Sequence, residues 1–115
     1  MGERGQIFIK DTKVYLYTHW GGMELLQDLQ KAINKKQRWN DVEYLTRIIF
    51  DVMIGDSHGT ETGFGIGTQE HSDLDYPLIT IDAGNQEITF KTGTGKQMKY
   101  SFEDFLKVKI KDNWY

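Results

Sequence analysis

The first residues with a capacity for chemistry are Thr18-His19-Trp20-Gly21-Gly22, where a predicted strand gives way to a predicted helix. His19 supplies a hydrogen-bond donor, and Trp20 supplies a flat ring on which a base or ribose can stack. The two glycines allow close approach to the backbone, and free amides at residues 22–24 suit a phosphate. The alternative is a plain strand-to-helix turn with a packed tryptophan. That turn is the commoner outcome because a full phosphate-loop motif is absent.

A second group lies on a predicted helix, where Glu43, Arg47 and Asp51 are spaced four residues apart. This spacing favours a solvated ladder of charges, which stabilises a helix by a few tenths of a kcal/mol per pair. The alternative is that Arg47 clamps a phosphate, since its planar guanidinium matches phosphate oxygens.

A third group is the glycine-rich run at residues 62–68, TGFGIGT, which contains Phe64, Gly65 and Thr68. Alternating glycines weaken a strand and often mark the close approach of another group. A ligand ring could lie over that bare backbone. Equally, neighbouring side chains such as Trp20 or Trp39 could fill the glycine gaps, and the sequence leaves both interpretations open.

The remaining polar residues predict no metal site and no catalytic group. His58, His71, Asp73 and Asp75 match no recognised zinc or calcium spacing, which favours a solvated acidic loop. No histidine or serine stands in a known nucleophile motif. Acid–base chemistry by scattered carboxylates remains open, and no cofactor is predicted.

The elements that must position these residues follow from the hydrophobic pattern. Alternating apolar residues predict strands, and apolar residues at helical spacing predict two main helices, the second capped by Asn40 or Asp41 and ended by Gly55. Residues 56–76 predict a long loop with a short strand at 63–68, and Ser101 can cap a short turn at 102–106. The tail at 107–111 alternates and predicts a final edge strand. The predicted strands are 6–10, 14–18, 78–82, 86–91 and 96–100, and the predicted helices cover about 25–33 and 42–53.

The whole chain of 115 residues is predicted to form one compact α+β domain, 1–115, with an antiparallel sheet and two main helices. It has no cysteine, which excludes disulfides and thiolate metal sites and fits a cytoplasmic protein. A net charge of −3 argues against binding DNA by bulk electrostatics. The sequence shows no membrane-spanning run and no apolar leader, so we expect no membrane contact.

Four stretches of the sequence carry a resemblance to known proteins: 14–22 (VYLYTHWGG), 39–50 (WNDVEYLTRIIF), 62–68 (TGFGIGT) and 76–82 (YPLITID). They resemble a set of short phage, prophage and prokaryotic proteins, and the resemblance extends from residue 5 to about residue 90. Within that set the chain is similar to the phage anti-Thoeris sponge proteins. Those proteins bind and sequester cyclic ADP-ribose-type signals that bacteria make during infection, and they do not cleave the signal. Some also hold cyclic oligonucleotides, and the family forms symmetric oligomers.

The resemblance implies a non-enzymatic sponge in the cytoplasm of the host cell. Such a protein needs aromatic platforms, polar contacts to hydroxyls and a clamp for two phosphates. Alternatives from other classes are a small phosphodiesterase that degrades the signal and a protein-interaction module without a small ligand. We also expect a homo-oligomer, because apolar residues flank the helix and strand faces. The residues of suitable type for ligand contact are His19, Trp20, Gly21, Gly22, Arg47, Phe64, Gly65 and Thr68.

Overall fold

A computed structural model describes residues 3–111 and residue 114 of the chain. It shows one six-stranded sheet with the strand order β3-β2-β1-β4-β5-β6. Every neighbouring pair is antiparallel except β1 and β4. The predicted α+β class with two main helices is confirmed. The strands are β1 Gly5–Ile9, β2 Val14–Thr18, β3 Phe64–Gly67, β4 Ile79–Asp82, β5 Glu87–Lys91 and β6 Gln97–Ser101.

Two longer helices and one short helix complete the fold. They are α1 Leu25–Asn34, α2 Val42–Ile54 and α3 Phe102–Phe105, with single 3₁₀ turns at Gly22–Glu24 and Gly55–Ser57. The parallel pairing of β1 with β4 requires a long crossover. The segment between β2 and β4, which carries α1, α2 and β3, provides it.

The core lies between one face of the sheet and the two longer helices. Alternation along the strands turns Ile7, Leu16 and Ile81 inward, and each is fully buried. Helix α1 contributes buried residues at three- and four-residue spacing, as the sequence predicts. These are Leu25, Leu26, Leu29, Ala32 and Ile33.

The ends of α2 are fixed by the residues expected to fix them. The Asp41 carboxylate accepts a hydrogen bond from the amide of Tyr44 at 3.4 Å, so Asp41 and not Asn40 caps the helix. At the other end Gly55 has a φ of +56°, a left-handed conformation that favours glycine. Helix α2 therefore begins and ends where the sequence places it.

The predicted edge strand at residues 107–111 is wrong. These residues follow α3, whose first turn is capped by the Ser101 hydroxyl, and they form no strand. The side chain of Gln30 donates hydrogen bonds to the carbonyls of Phe105, at 2.9 Å, and Val108, at 2.7 Å. The segment is thus tied to α1, which competes with pairing along the sheet edge.

The long segment after β3 is anchored to the outer face of the sheet. The buried Gln6 side chain donates to the carbonyl of Gln69 and accepts from the amide of His71. The His71 ring stacks on Tyr17 with centroids 4.4 Å apart. The face of the sheet that carries Tyr17 is therefore partly covered by the chain itself.

None of the helices in the described part of the chain has the length and apolar content needed to cross a bilayer.

Candidate functional site

An open cavity of about 420 Å³ lies where the start of α1, the end of α2 and strand β3 meet. We call it the Trp20 cavity. Of the eight residues expected to contact a ligand, it brings together Trp20, Gly21 and Phe64. Its size falls within the range of about 300–1,000 Å³ that small-molecule sites occupy. Its other walls are Glu24, Asp28, Val52, Met53, Ile54, Gly55, Ser57, Thr60 and Thr62.

The position of Trp20 depends on a glycine in the segment that enters β3. Gly63 has a φ of +98°, and a side chain there would place its Cβ 2.8 Å from the Trp20 ring. The tryptophan therefore lies over bare backbone, and the expectation that it fills a glycine gap is confirmed at Gly63. The side chain of Trp20 is still 56% exposed, so much of its ring is accessible to a ligand. Gly65 and Gly67 have open space at their Cβ positions.

The charged side chains of the Trp20 cavity are acidic. Burial raises the pKa of Asp28 to about 6, and the nearby Glu24 carboxylate adds to the rise. None of the described residues that line the cavity is a lysine, an arginine or a histidine. Carboxylates accept hydrogen bonds from hydroxyl groups, whereas they repel phosphates. The cavity therefore suits a ring with hydroxyls better than it suits a phosphate.

The predicted phosphate site at the helix start is not formed. The amide of Gly22 donates to the Glu3 carbonyl at 2.7 Å, and the amide of Gly21 donates to the Thr18 hydroxyl at 2.9 Å. The Glu24 amide donates to the carbonyl of Gly21. Two of the three amides expected to meet a phosphate, those of Gly22 and Glu24, are thus occupied by the chain's own acceptors.

Gly22 has a packing role instead. A Cβ at this position would lie 2.5 Å from the Glu3 carbonyl oxygen and 2.6 Å from the Tyr76 ring. The glycine allows the segment before β1 to pass directly over the helix start. It lines neither the Trp20 cavity nor the groove that contains Arg47.

Arg47 lies outside the Trp20 cavity. Its guanidinium pairs with the Asp51 carboxylate one turn further along α2, as the charge-ladder interpretation predicts. It borders a shallow groove of about 270 Å³ that also contains Lys35. Val52 lines both the groove and the Trp20 cavity, so the two share a wall. The groove supplies the cations that the cavity lacks.

His19, Gly65 and Thr68 line neither space. The His19 ring hydrogen-bonds the Tyr17 hydroxyl at 3.0 Å and meets the Trp20 ring edge-on with centroids 4.8 Å apart. The His19 ring therefore packs against Trp20 without lining the cavity. Gly65 is paired with Tyr17 across the sheet, and Thr68 is exposed just beyond β3.

Asp73 and Asp75, which were expected to lie in a solvated acidic loop, form ion pairs with another residue of the chain. Arg4 pairs with both Asp73 and Asp75, and His71 lies 3.8 Å from Asp73. The main-chain amide and the side chain of Arg4 lower the pKa of the Asp75 carboxyl. Within residues 3–111 and at residue 114, no three metal-ligating side chains converge.

Sequence reasoning missed Glu24 and Asp28 as members of the site. Their four-residue spacing is typical of an exposed helix face, so nothing marked them out. The available signal for their place in the site was their spacing of four and eight residues after Trp20.

Comparison of the chain with known protein families, characterised proteins and solved structures found no match.

Proposed function

We propose that the protein binds a nucleotide-type small molecule and holds it unchanged, as a sponge for a cyclic ADP-ribose-type signal. The observation that carries the proposal is the Trp20 cavity, where two aromatic side chains and two carboxylates face one space. A nucleoside presents a flat base and a hydroxylated ribose. Trp20 and Phe64 supply stacking surfaces, and Glu24 and Asp28 accept hydrogen bonds from ribose hydroxyls.

The phosphates of such a ligand must lie outside the Trp20 cavity, because its carboxylates repel them. The groove beyond Val52 contains Lys35 and Arg47 and is the adjoining source of positive charge. A ligand that spans both spaces would place its base and ribose beside Trp20 and its phosphates beside Arg47. This arrangement keeps a ligand role for Arg47 and explains why an acidic cavity can serve a phosphorylated molecule.

Sequestration requires affinity and a long residence time, and it requires no activated nucleophile. The raised pKa of Asp28 does not require catalysis, because a carboxyl with a pKa of about 6 is mainly ionised at neutral pH and accepts hydrogen bonds. The protein would act in the cytoplasm, where a signal of this kind is made. A homo-oligomer would bring exposed apolar side chains such as Ile66 out of water.

The direct test of this function is recovery of the ligand. Cyclic ADP-ribose is incubated with a molar excess of protein, and ultrafiltration separates the protein from free ligand. The retained protein is then denatured, and the released ligand is analysed by chromatography. We expect the ligand to be retained with the protein and released intact in full yield. A cleaved product would overturn the sponge in favour of a phosphodiesterase, and passage of all ligand through the filter would overturn nucleotide binding altogether.

The same experiment also tests the third alternative, a protein-interaction module without a small ligand. If no nucleotide is retained, a thermal shift against a panel of nucleotides should also show no change. An interaction module without a small ligand would then be the better description.

A further inference from the structure

A second cavity, of about 740 Å³, lies at the other end of α1 and is lined by Trp39. We call it the Trp39 cavity. It is formed by the connection between α1 and α2, the turn before β5 and the segment at α3. It shares no lining residue with the Trp20 cavity.

The charge of the Trp39 cavity is opposite to that of the Trp20 cavity. Lys36, Arg38 and Lys107 bring three cations to it, against the carboxylates of Asp41 and Glu103. Asp41 caps α2 with one carboxylate oxygen, and its other oxygen lies 3.9 Å from the Arg38 guanidinium. Among the described lining residues, three cations face two carboxylates, whereas the charged side chains of the Trp20 cavity are carboxylates.

The backbone at this cavity is held in a costly conformation. Lys36, Arg38 and Gln86 have φ values of +54°, +59° and +53°. A left-handed conformation costs a residue with a side chain about 1–2 kcal/mol, and glycine or asparagine would adopt it more easily. Strain of this kind is typical of ligand sites. Two of the three residues, Lys36 and Arg38, are cations, so the bent connection between α1 and α2 brings positive charge to the cavity.

The walls of the cavity are fixed by hydrogen bonds and packing. The Trp39 indole nitrogen donates to the Ile33 carbonyl at 3.2 Å, and its ring meets Phe102 edge-on at 5.5 Å. Gln86 donates to the side-chain oxygen of Asn40 at 3.1 Å, which leaves the Asn40 amide nitrogen as a donor. The Arg38 guanidinium lies over the Tyr44 ring at 4.6 Å. The cavity thus combines an ordered ring, an amide donor and a positioned guanidinium.

We propose that the Trp39 cavity is a binding site for a phosphorylated small molecule that carries a planar ring. Lys36, Arg38 and Lys107 hold the phosphate, and Trp39 contacts the ring. This site does not depend on the function proposed for the Trp20 cavity, because the two spaces use different residues.

The test follows the amide resonances of the full chain by nuclear magnetic resonance during a titration with adenosine 5′-monophosphate at low salt. We expect saturable shifts at the connection between α1 and α2 and at Gln86. Shifts confined to the surroundings of Trp20 and Phe64 would overturn this site while leaving the proposed function standing. The absence of shifts up to millimolar ligand would also overturn it.

A matched pair of variants assigns the binding to the strained cations. Lys36→Asn removes a cation at the cavity, and Lys13→Asn removes one at a comparable left-handed position, φ +60°, in the turn between β1 and β2. Both variants change the net charge equally, and asparagine tolerates this backbone. We expect Lys36→Asn to weaken binding by about tenfold and Lys13→Asn to leave it unchanged.

Equal affinities of the two variants would contradict the proposal, since bulk charge alone would then explain the binding. Thermal stability is a second readout, because Lys36 has a left-handed backbone that asparagine tolerates. Lys36→Asn should fold at least as stably as the parent chain, so that lost binding cannot be attributed to unfolding. Thermal unfolding of both variants checks this.

Discussion

At the scale of single residues, the candidate site depends on what surrounds each side chain more than on its type. Arg47 has the chemistry of a phosphate clamp, yet its nearest partner is Asp51 on the same helix. Trp20 has the chemistry of a stacking platform and retains an accessible ring. The two predictions at this scale follow from the Arg47–Asp51 ion pair and from the half-buried carboxyl of Asp28.

The first prediction concerns the Arg47–Asp51 pair. Both side chains are more than half exposed, so breaking the pair should cost at most a few tenths of a kcal/mol whichever partner is removed. If Arg47 contacts ligand phosphates, Arg47→Ala weakens cyclic ADP-ribose binding by about tenfold, whereas Asp51→Ala frees the guanidinium and leaves binding equal or tighter. Calorimetric titration of the two variants measures this. Equal affinities for both would return Arg47 to a surface charge ladder.

The second prediction concerns Asp28. Its pKa in the folded protein is about 6, above the ordinary value of 3.8. The folded state therefore binds this proton more tightly than the unfolded state, so the carboxyl makes folding less favourable as the pH rises from about 4 to about 6. Asp28→Asn should be more stable than the parent chain at pH 7.5 and should lose that part of the pH dependence.

Urea unfolding at pH 4 and pH 7.5 checks the behaviour of Asp28. Glu43→Gln, on the exposed side of α2, is the matched control for the loss of one carboxylate. An Asp28→Asn protein whose stability falls with pH as the parent does would show that burial does not disfavour the charged carboxyl.

At the scale of elements, the sequence predicts most strands and both longer helices, because alternation and helical spacing are local signals. It does not predict the parallel pairing of β1 with β4, which joins residues about seventy positions apart. The tail fails for a related reason. Its alternation is real, but Gln30 ties residues Phe105 and Val108 to α1.

The site shows the same division between local and distant signals. Trp20 and Phe64 were both expected at the site, and both line the same cavity. The amides of Gly22 and Glu24 were expected to be free, but the carbonyls of Glu3 and Gly21 accept hydrogen bonds from them. The Glu3 contact is long-range and is absent from any local pattern.

The third prediction tests the packing role of Gly22. Gly22→Ala would drive a methyl group into the Glu3 carbonyl and the Tyr76 ring, and we expect a loss of about 1–3 kcal/mol of stability. Gly65→Ala places its methyl group in open space without a left-handed backbone, so it should cost little. Chemical denaturation compares the two. A tolerated Gly22→Ala would mean that the segment before β1 does not pack here.

At the scale of the whole molecule, the exposed apolar side chains bear on assembly. Trp20, Met23, Tyr44 and Ile66 are each at least half exposed. Trp20 belongs to the proposed ligand site, whereas Ile66 lies on the edge strand β3. Exposed edges of this kind favour pairing with another chain.

The fourth prediction is that the protein is a homo-oligomer at micromolar concentration. Light scattering after gel filtration should give a multiple of the chain mass. Ile66→Lys introduces a charge at the β3 edge and should lower that mass if the edge takes part. A monomeric mass for the parent chain would refute the assembly.

The central claim is that the Trp20 cavity holds the nucleoside part of a phosphorylated ligand. Calorimetric titration of cyclic ADP-ribose into the parent chain, Trp20→Ala and Met23→Ala tests it most directly. Trp20 and Met23 are similarly exposed, at 56% and 51%, but Met23 does not line the cavity. We expect saturable binding that weakens by at least about tenfold in Trp20→Ala and persists in Met23→Ala. No binding to the parent chain, or equal affinity in all three proteins, would contradict it.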